Sequence, residues 1–524
     1  MFTRIKYIVH VMFENRSIDN VLGWLYDGDT PKHVIIGGGG KDVMPEPGYN
    51  GLRENTYYNK DKKGRIHYVT KGTDGRMDSP SRDPHEEFEH ISAQCFDLDP
   101  GVLPVPSQQA DMGGFYKDFE HPVFSADQIM QSYTPYELPV INGLAKQYAV
   151  CDAWYASVPT QTNCNRAFAA TGNSIGVDQK SRQVEAWVNN HFDLDGLQVD
   201  FSEKTHWNVL CDNGFSGTDD WMVYYSEHWP PVGERKKFCY TQNLFEQLQD
   251  DRFNPHFAPV AQFMDRARSG KLPAYSFLEP KWGIERMGIG EQGTDYHPPC
   301  NVAHGEKYLN DIYAALTYNR DTWNQTLLVV TFDEHGGTYD HIPTPWGATP
   351  PWGKGTAPTC EGGFGFDRFG VRVPVILASP FIQPGTVFRM GEGVPFDHTS
   401  FIATLLTWKG IDKSKWGLGE RVNAAPIFDF VLTLGRPRTD RPQFVPRTDP
   451  HPDPDPEAND LQVQMAHRGM AFAAKELGIP QDILSGLHER HIKPARRLNE
   501  LKLGLSCVFA EMEKQAEIQR KKLP

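Results

Sequence analysis

Two stretches of the chain, Tyr7–Phe13 and Thr326–Phe332, are unbroken runs of β-branched, aliphatic and aromatic residues around a few small polar ones. Such runs predict strands buried in a core. Each is followed at once by an acidic-polar couplet, Glu14-Asn15 in the first case and Asp333-Glu334 in the second. Between them, residues 139–150 read as a helix followed by a strand. That strand leads into a turn rich in Ser, Thr and Asn at 157–166, with a helix expected from Ala167. Residues 307–318 form a short amphipathic helix ahead of the second run, and 371–380 give a further strand. Strand–helix–strand alternation predicts an α/β sheet flanked by helices.

In open sheets of this kind, ligands collect at the carboxyl ends of the strands. The two couplets therefore converge on one side of the sheet despite their separation, and hard oxygen donors gathered there suit a divalent cation.

The pattern changes in three places. The segment from Gly37 to Arg76 is rich in Gly, Lys and Asn and reads as a surface excursion. Residues 198–240 carry Trp207, Phe215, Trp221, Tyr224, Tyr225 and Trp229, either as a substrate-facing wall or as an insertion with its own small core. Beyond Arg436 a proline-rich connector appears, centred on 447–456. These breaks predict a main domain over 1–436 with insertions near 37–76 and 198–240, a linker over 437–457 and a helical tail over 458–524. In the tail, Leu498, Leu501, Leu505, Val508 and Met512 fall at helical spacing beside Lys493, Arg496, Arg497 and Lys502. This stripe predicts packing or a homo-oligomer seam, with peripheral membrane contact as the other use.

Composition narrows the partners. The formal net charge of −14, with no long basic run, excludes nucleic acid as the main partner. A phosphorylated substrate stays compatible, because a bound cation neutralises phosphate locally. Eight cysteines without CxxC spacing predict free thiols rather than a zinc ribbon. The first strand begins too close to Met1 for a secretory signal, and no apolar run reaches membrane-spanning length. The expected location is cytoplasmic, or outside by a signal-independent route.

Metal-dependent phosphoester cleavage needs an activated nucleophile, positive charge on the phosphoryl oxygens and an acid for the leaving group. Asp333-Glu334 continues into His335-Gly336-Gly337 and on to His341, a dense set of ligand-type side chains. In the 157–166 turn both Thr160 and Thr162 qualify as nucleophile on chemistry alone, although threonine there also serves as a helix cap. Arg166 either meets phosphate bidentately or braces the turn through a salt bridge.

The motifs Glu14-Asn15-Arg16-Ser17-Ile18-Asp19, Met112-Gly113-Gly114-Phe115, Ser157-Val158-Pro159 through Thr162 with Asn165-Arg166, and His297-Pro298-Pro299 with Gly305-Glu306 occur in order. They are followed by 331–341, Arg372-Val373-Pro374 and Phe396-Asp397-His398-Thr399-Ser400. With these the chain resembles the bacterial phosphoesterase family of phospholipases C and metal-dependent acid phosphatases, together with plant non-specific phospholipases C. The resemblance implies an alkaline-phosphatase-like α/β fold with a central mixed, mostly parallel sheet. It implies a metal held by Glu14, Asn15, Asp333 and Glu334, and Thr162 as the nucleophile on or near that metal. His297 corresponds to an active-site histidine that contacts phosphate or protonates the leaving group. In the stretch 83–90 the key family position varies between His and Glu; the phase set by Phe88 gives it to Glu86, with His85 as the alternative. His398 is either catalytic or orients a neighbouring ligand. One departure is Cys164, where the family usually has proline before the Asn of its Asn-Arg pair. The implied activity is phospholipase C hydrolysis through a phosphothreonine intermediate. The alternatives are an acid phosphatase acting on soluble monoesters and a non-catalytic metal-dependent binding protein. The ion is calcium, magnesium, manganese or zinc.

Overall fold

In the computed structural model, which describes residues 2–38, 48–106, 108–123, 125–192, 199–226, 229, 238–285 and 291–522, the two apolar runs lie side by side. They are strands β1 (Tyr7–Phe13) and β7 (Thr326–Phe332) of a nine-stranded sheet. The others are β2 (His33–Gly37), β3 (Ala149–Cys151), β4 (Trp221–Tyr225), β5 (Phe257–Pro259), β6 (Tyr275–Leu278), β8 (Val375–Ala378) and β9 (Thr386–Met390). The order is β5-β4-β6-β1-β7-β8-β3-β9-β2. Only β8 runs against its neighbours β7 and β3; every other adjacent pair is parallel. This is the mixed, mostly parallel sheet that the resemblance implies.

Strands buried on both faces must be apolar nearly throughout. In β7, Leu327, Leu328, Val329, Val330 and Phe332 are all buried, and each such side chain contributes about 1.5–3 kcal/mol. The register pairs Tyr7 with Thr326 and Phe13 with Phe332, so both strands end level and their couplets emerge at the same edge.

The helices that matter to that edge are α1 (Ile18–Leu22), α2 (Phe88–Phe96), α3 (Phe115–Phe119), α4 (Pro139–Gln147), α5 (Thr162–Thr171), α6 (Val302–Tyr318) and α7 (His398–Trp408). The tail adds α8 (Asp460–Leu477), α9 (Gln481–His491) and α10 (Leu498–Lys522). Helix α1 is capped by Ser17, whose hydroxyl accepts from the Asn20 amide. The expected 139–150 helix and strand are α4 and β3, whereas α6 starts earlier than its apolar spacing indicated because Asn301 caps it.

Three expectations change. Helix α5 begins at Thr162, not Ala167, because Asn165 fastens the preceding turn from inside the helix. Its amide donates to Val158 O and Thr160 O, and its Oδ1 accepts from Val158 N. The aromatic stretch near 198–240 supplies β4 to the central sheet, and Trp207, Trp221, Tyr224 and Tyr225 are buried in the main core. Tyr225 also lines a cavity of about 670 Å³ together with Arg468 and Phe472; residues 193–198, 227, 228 and 230–237 lie outside the described residues. The stripe of Leu498, Leu501, Leu505, Val508 and Met512 is buried within this chain, where α10 packs on α8 and α9. That face is consequently not available as a homo-oligomer seam or for membrane contact.

The eight cysteines are free thiols. Among the described residues no helix is long and apolar enough to cross a membrane.

Candidate active site and metal centre

The edge where β1 and β7 end is fully buried: Glu14, Asn15, Asp333 and Glu334 have essentially no exposed surface. Asn15 adopts a left-handed backbone (φ 51°), which turns its side chain back across the strand ends, and its amide N–H donates to Asp333 Oδ1 at 3.3 Å. Gly336, also left-handed, lies against this turn so closely that a Cβ there would come within 2.2 Å of Asn15 O.

Helix α5 delivers Thr162 at its first turn. The Thr162 hydroxyl donates to Glu14 Oε2 at 3.1 Å, with Asn15 Oδ1 at 3.3 Å as a second acceptor. Thr160 instead points to Asn189 Oδ1, away from the couplets. One turn along α5, Arg166 pairs with Glu14 Oε1 and sets its Nε 3.3 Å from Asp333 Oδ2. It also donates to Met12 O and lies over the Trp282 ring. Burial opposes the charge on Arg166, but Glu14 and Asp333 outweigh it and raise its pKa. Cys164, in the family's proline position, is buried with its thiol against Trp187 O, so the Asn165 clasp supplies the turn's stiffness.

The opposite wall comes from the 83–87 loop and His297. Asn15 Nδ2 donates to Glu86 Oε2 and lies 2.8 Å from His297 Nε2. His297 Nδ1 lies 2.6 Å from Pro298 O, which assigns its proton to Nδ1 and leaves Nε2 as an acceptor. Glu86 Oε1 faces Nε2 at 3.5 Å. Of the two candidates in this loop, Glu86 is buried beside His297, whereas the His85 side chain is half exposed and turned to Asp118. His398 is buried below the centre; its Nε2 donates to the backbone carbonyl of Asp333 and it does not reach Thr162. Its imidazole braces the turn that carries the second couplet.

Two contributors gave no clear signal in the sequence. Asp83 Oδ1 lies 3.7 Å from His297 Nδ1. The first turn of α8 holds this wall from the tail: the Asp460 amide donates to Asp83 Oδ2 at 2.9 Å, and Asn459 Nδ2 donates to Pro298 O at 3.3 Å. A cavity of about 890 Å³ opens over it, lined by Arg82, Asp83, Glu86, Gln161, Asp460 and Arg497 among others.

The donor set suits a cation. Asp333 Oδ2, Glu334 Oε1 and Glu86 Oε1 are buried without a hydrogen-bond partner among the described residues. Burial raises the Glu14, Glu86 and Glu334 carboxyls, Glu334 to about 8. Arg166 opposes the shift of Glu14, His297 that of Glu86 and Glu86 that of Glu334, while Asp333 adds to the shifts of Glu14 and Glu334 and Glu334 to that of Glu86. One guanidinium does not balance this many carboxylates; a divalent ion with oxygen ligands does. Asp83, Glu86 and His297 also place one ligating atom each within 4.8 Å of one another.

Two plant proteins are similar to this chain over most of its length. Non-specific phospholipase C3 of Arabidopsis thaliana is 30% identical over 97% of this chain and 87% of its own length. Non-specific phospholipase C6 of the same plant is 30% identical over 85% and 76%. Among solved structures, a protein in the alkaline phosphatase superfamily from Vibrio parahaemolyticus is 14% identical, with a TM-score of 0.29 over 65% of this chain and 81% of that one. The model of the phosphoesterase family matches residues 5–411, a span that holds both couplets, Thr162, His297 and His398. This chain belongs to the phosphoesterase family and is a phosphoester hydrolase.

Proposed function

We propose that the enzyme is a phospholipase C, cleaving phospholipid to diacylglycerol and a phosphorylated head group through a phosphothreonine at Thr162. The observation that carries this reading is the Thr162 hydroxyl held against Glu14 Oε2 at the ends of the two paired strands. The whole-length similarity to phospholipases C supports the substrate class.

Glu14 Oε2 and Asn15 Oδ1 orient the Thr162 hydroxyl, and Glu14 Oε2 takes its proton as the attack proceeds. Oγ1 attacks phosphorus in line and the P–O bond to the alcohol breaks; water, giving a proton to Glu86, then cleaves the phosphothreonine while the proton on Glu14 returns to Oγ1. The alcohol departs on the side of Glu86 and His297. Glu86, kept protonated by burial and by Glu334, donates its proton to the leaving oxygen from Oε1. His297, with its proton engaged at Nδ1, accepts from Asn15 Nδ2 through Nε2 and so fixes the side-chain amide that also holds Glu86 Oε2. A divalent ion held by Glu14, Asn15, Asp333 and Glu334, next to Thr162, would supply positive charge for the phosphoryl oxygens and lower the pKa of the hydroxyl. Arg166 and the donors around it add fixed charge where the transition state is most negative.

The test compares phosphatidylcholine vesicles with a small aryl phosphate monoester, each with and without chelator. Diacylglycerol released from vesicles, lost on chelation and restored by a divalent ion, is the expected result. Hydrolysis of the monoester alone would assign an acid phosphatase instead, and turnover of neither across a metal and pH series would assign a binding protein. Acid quench during turnover should yield a phosphorylated peptide containing Thr162.

A further inference from the structure

Outside the catalytic wall, one carboxylate has two imidazoles aimed at it. His90 Nδ1 lies 2.6 Å from Asp118 Oδ1, and His85 Nδ1 lies 3.5 Å from Asp118 Oδ2. The two rings are 4.2 Å apart between centroids and tilted by 39°. One nitrogen from each histidine and one oxygen from Asp118 thus fall within 4.8 Å of one another. A tetrahedral ion with ligands at about 2.0–2.2 Å holds neighbouring donor atoms little more than 3 Å apart, so the three side chains need only small adjustments.

The carboxylate is already fixed in direction. Gln94 Nε2 donates to Asp118 Oδ2 at 2.8 Å, and Gln94 Oε1 lies 3.0 Å from His335 Nε2. Outer partners of this sort orient metal ligands and sharpen affinity. Burial pushes the Asp118 pKa up, yet the hydrogen bonds from His85, His90 and Gln94 outweigh it and bring it to about 2, so the ligand is anionic throughout the useful pH range. The His85 side chain is 51% exposed and lines the cavity in front of Glu86, which gives an ion a route in and a water its place.

We infer that His85, His90 and Asp118 form a second cation site, at the rim of the catalytic cavity, for an ion of zinc's class with water as the fourth ligand. The ion takes the place of the two Nδ1 protons that the imidazoles now direct at the carboxylate. Two imidazole nitrogens and one carboxylate select zinc over the hard ions that suit the oxygen-rich centre. The ion ties the loop bearing Asp83 and Glu86 to α2 and α3. Of the other convergent groups, Asp19, Asp340 and His341 are already compensated by Arg372, and Asp83, Glu86 and His297 belong to the catalytic wall.

The test uses the full chain and zinc alone. Calorimetric titration and elemental analysis should give wild type one zinc equivalent more than His85→Gln or His90→Gln, with affinity at this site at least tenfold weaker in either variant. Anomalous diffraction at the zinc edge should place a peak between the three side chains in wild type and none there in the variants. Because His85 is exposed, its variant leaves the fold intact, which zinc-free melting verifies. Equal zinc uptake by wild type and both variants, or anomalous density only at the Glu14 and Asp333 end of the cavity, overturns the site. The result is independent of which phosphoester the enzyme hydrolyses.

Discussion

Arg166 Nε stands 3.3 Å from Asp333 Oδ2 while the same guanidinium pairs with Glu14, so one side chain from α5 spans both strand ends. Removing one partner of a buried pair leaves bare charge behind, at a cost of about 3–5 kcal/mol. Arg166→Ala is expected to melt well below wild type in chelator and to recover much of that loss when a divalent ion is added. Thermal unfolding with and without the ion measures it.

Thr162→Ala should fold as wild type, since it removes only a hydroxyl, yet lose at least about a thousandfold in turnover because no nucleophile remains. Thr162→Ser keeps the oxygen within reach of Glu14 and should retain most activity. Steady-state rates on vesicles for the purified pair decide the matter. Near-normal turnover by Thr162→Ala would remove the phosphothreonine from the mechanism.

Gly336→Ala probes the turn that sets Asn15. The left-handed backbone alone costs a side chain about 1–2 kcal/mol. The added Cβ would also meet Asn15 O at 2.2 Å, which forces the turn to shift. The expected outcome is a folded protein with weakened divalent-ion affinity and a larger drop in turnover than in melting temperature. Calorimetry of ion binding beside a melting curve separates these effects.

Glu306 gives a pH signature of the fold. Its buried carboxylate accepts from Val140 N at 2.7 Å, Ile141 N at 2.9 Å and Tyr296 Oη at 3.1 Å, which caps α4. Burial outweighs these bonds and raises the pKa from 4.5 to about 7. The folded state therefore holds this proton more tightly than the unfolded chain does. The contribution is full below about pH 4.5 and is lost as pH rises through about 7. Glu306→Gln should flatten that part of the decline in melting temperature between pH 5 and 8 when compared with wild type.

Strand content was readable where composition alone dictates it: β1 and β7 begin and end where their apolar runs do, and the couplets follow directly. Side-chain chemistry left Thr160 and Thr162 open and the family resemblance named Thr162, whereas the early start of α5 that brings Thr162 to Glu14 depends on the Asn165 side chain, which propensity does not capture. Glu86 and His85 are equal candidates in the sequence; they separate only when the loop ahead of Phe88 turns one inward and leaves the other half exposed. The contribution of Asn459 and Asp460 was invisible, since a proline-rich connector sets no direction for the helix that follows it. The stripe on α10 was read correctly as apolar, but periodicity does not say whether its cover comes from the same chain.

The pairing of β1 with β7 also fixes when the site comes into being. During synthesis Glu14 and Asn15 are made long before their sheet neighbour, which is complete only at Phe332, and α8 comes later still. Until then the first couplet has no partner strand and Thr162 has no complete cradle. The cradle around Thr162 is therefore assembled only once β7 has been made, which keeps the hydrolytic centre incomplete through most of synthesis.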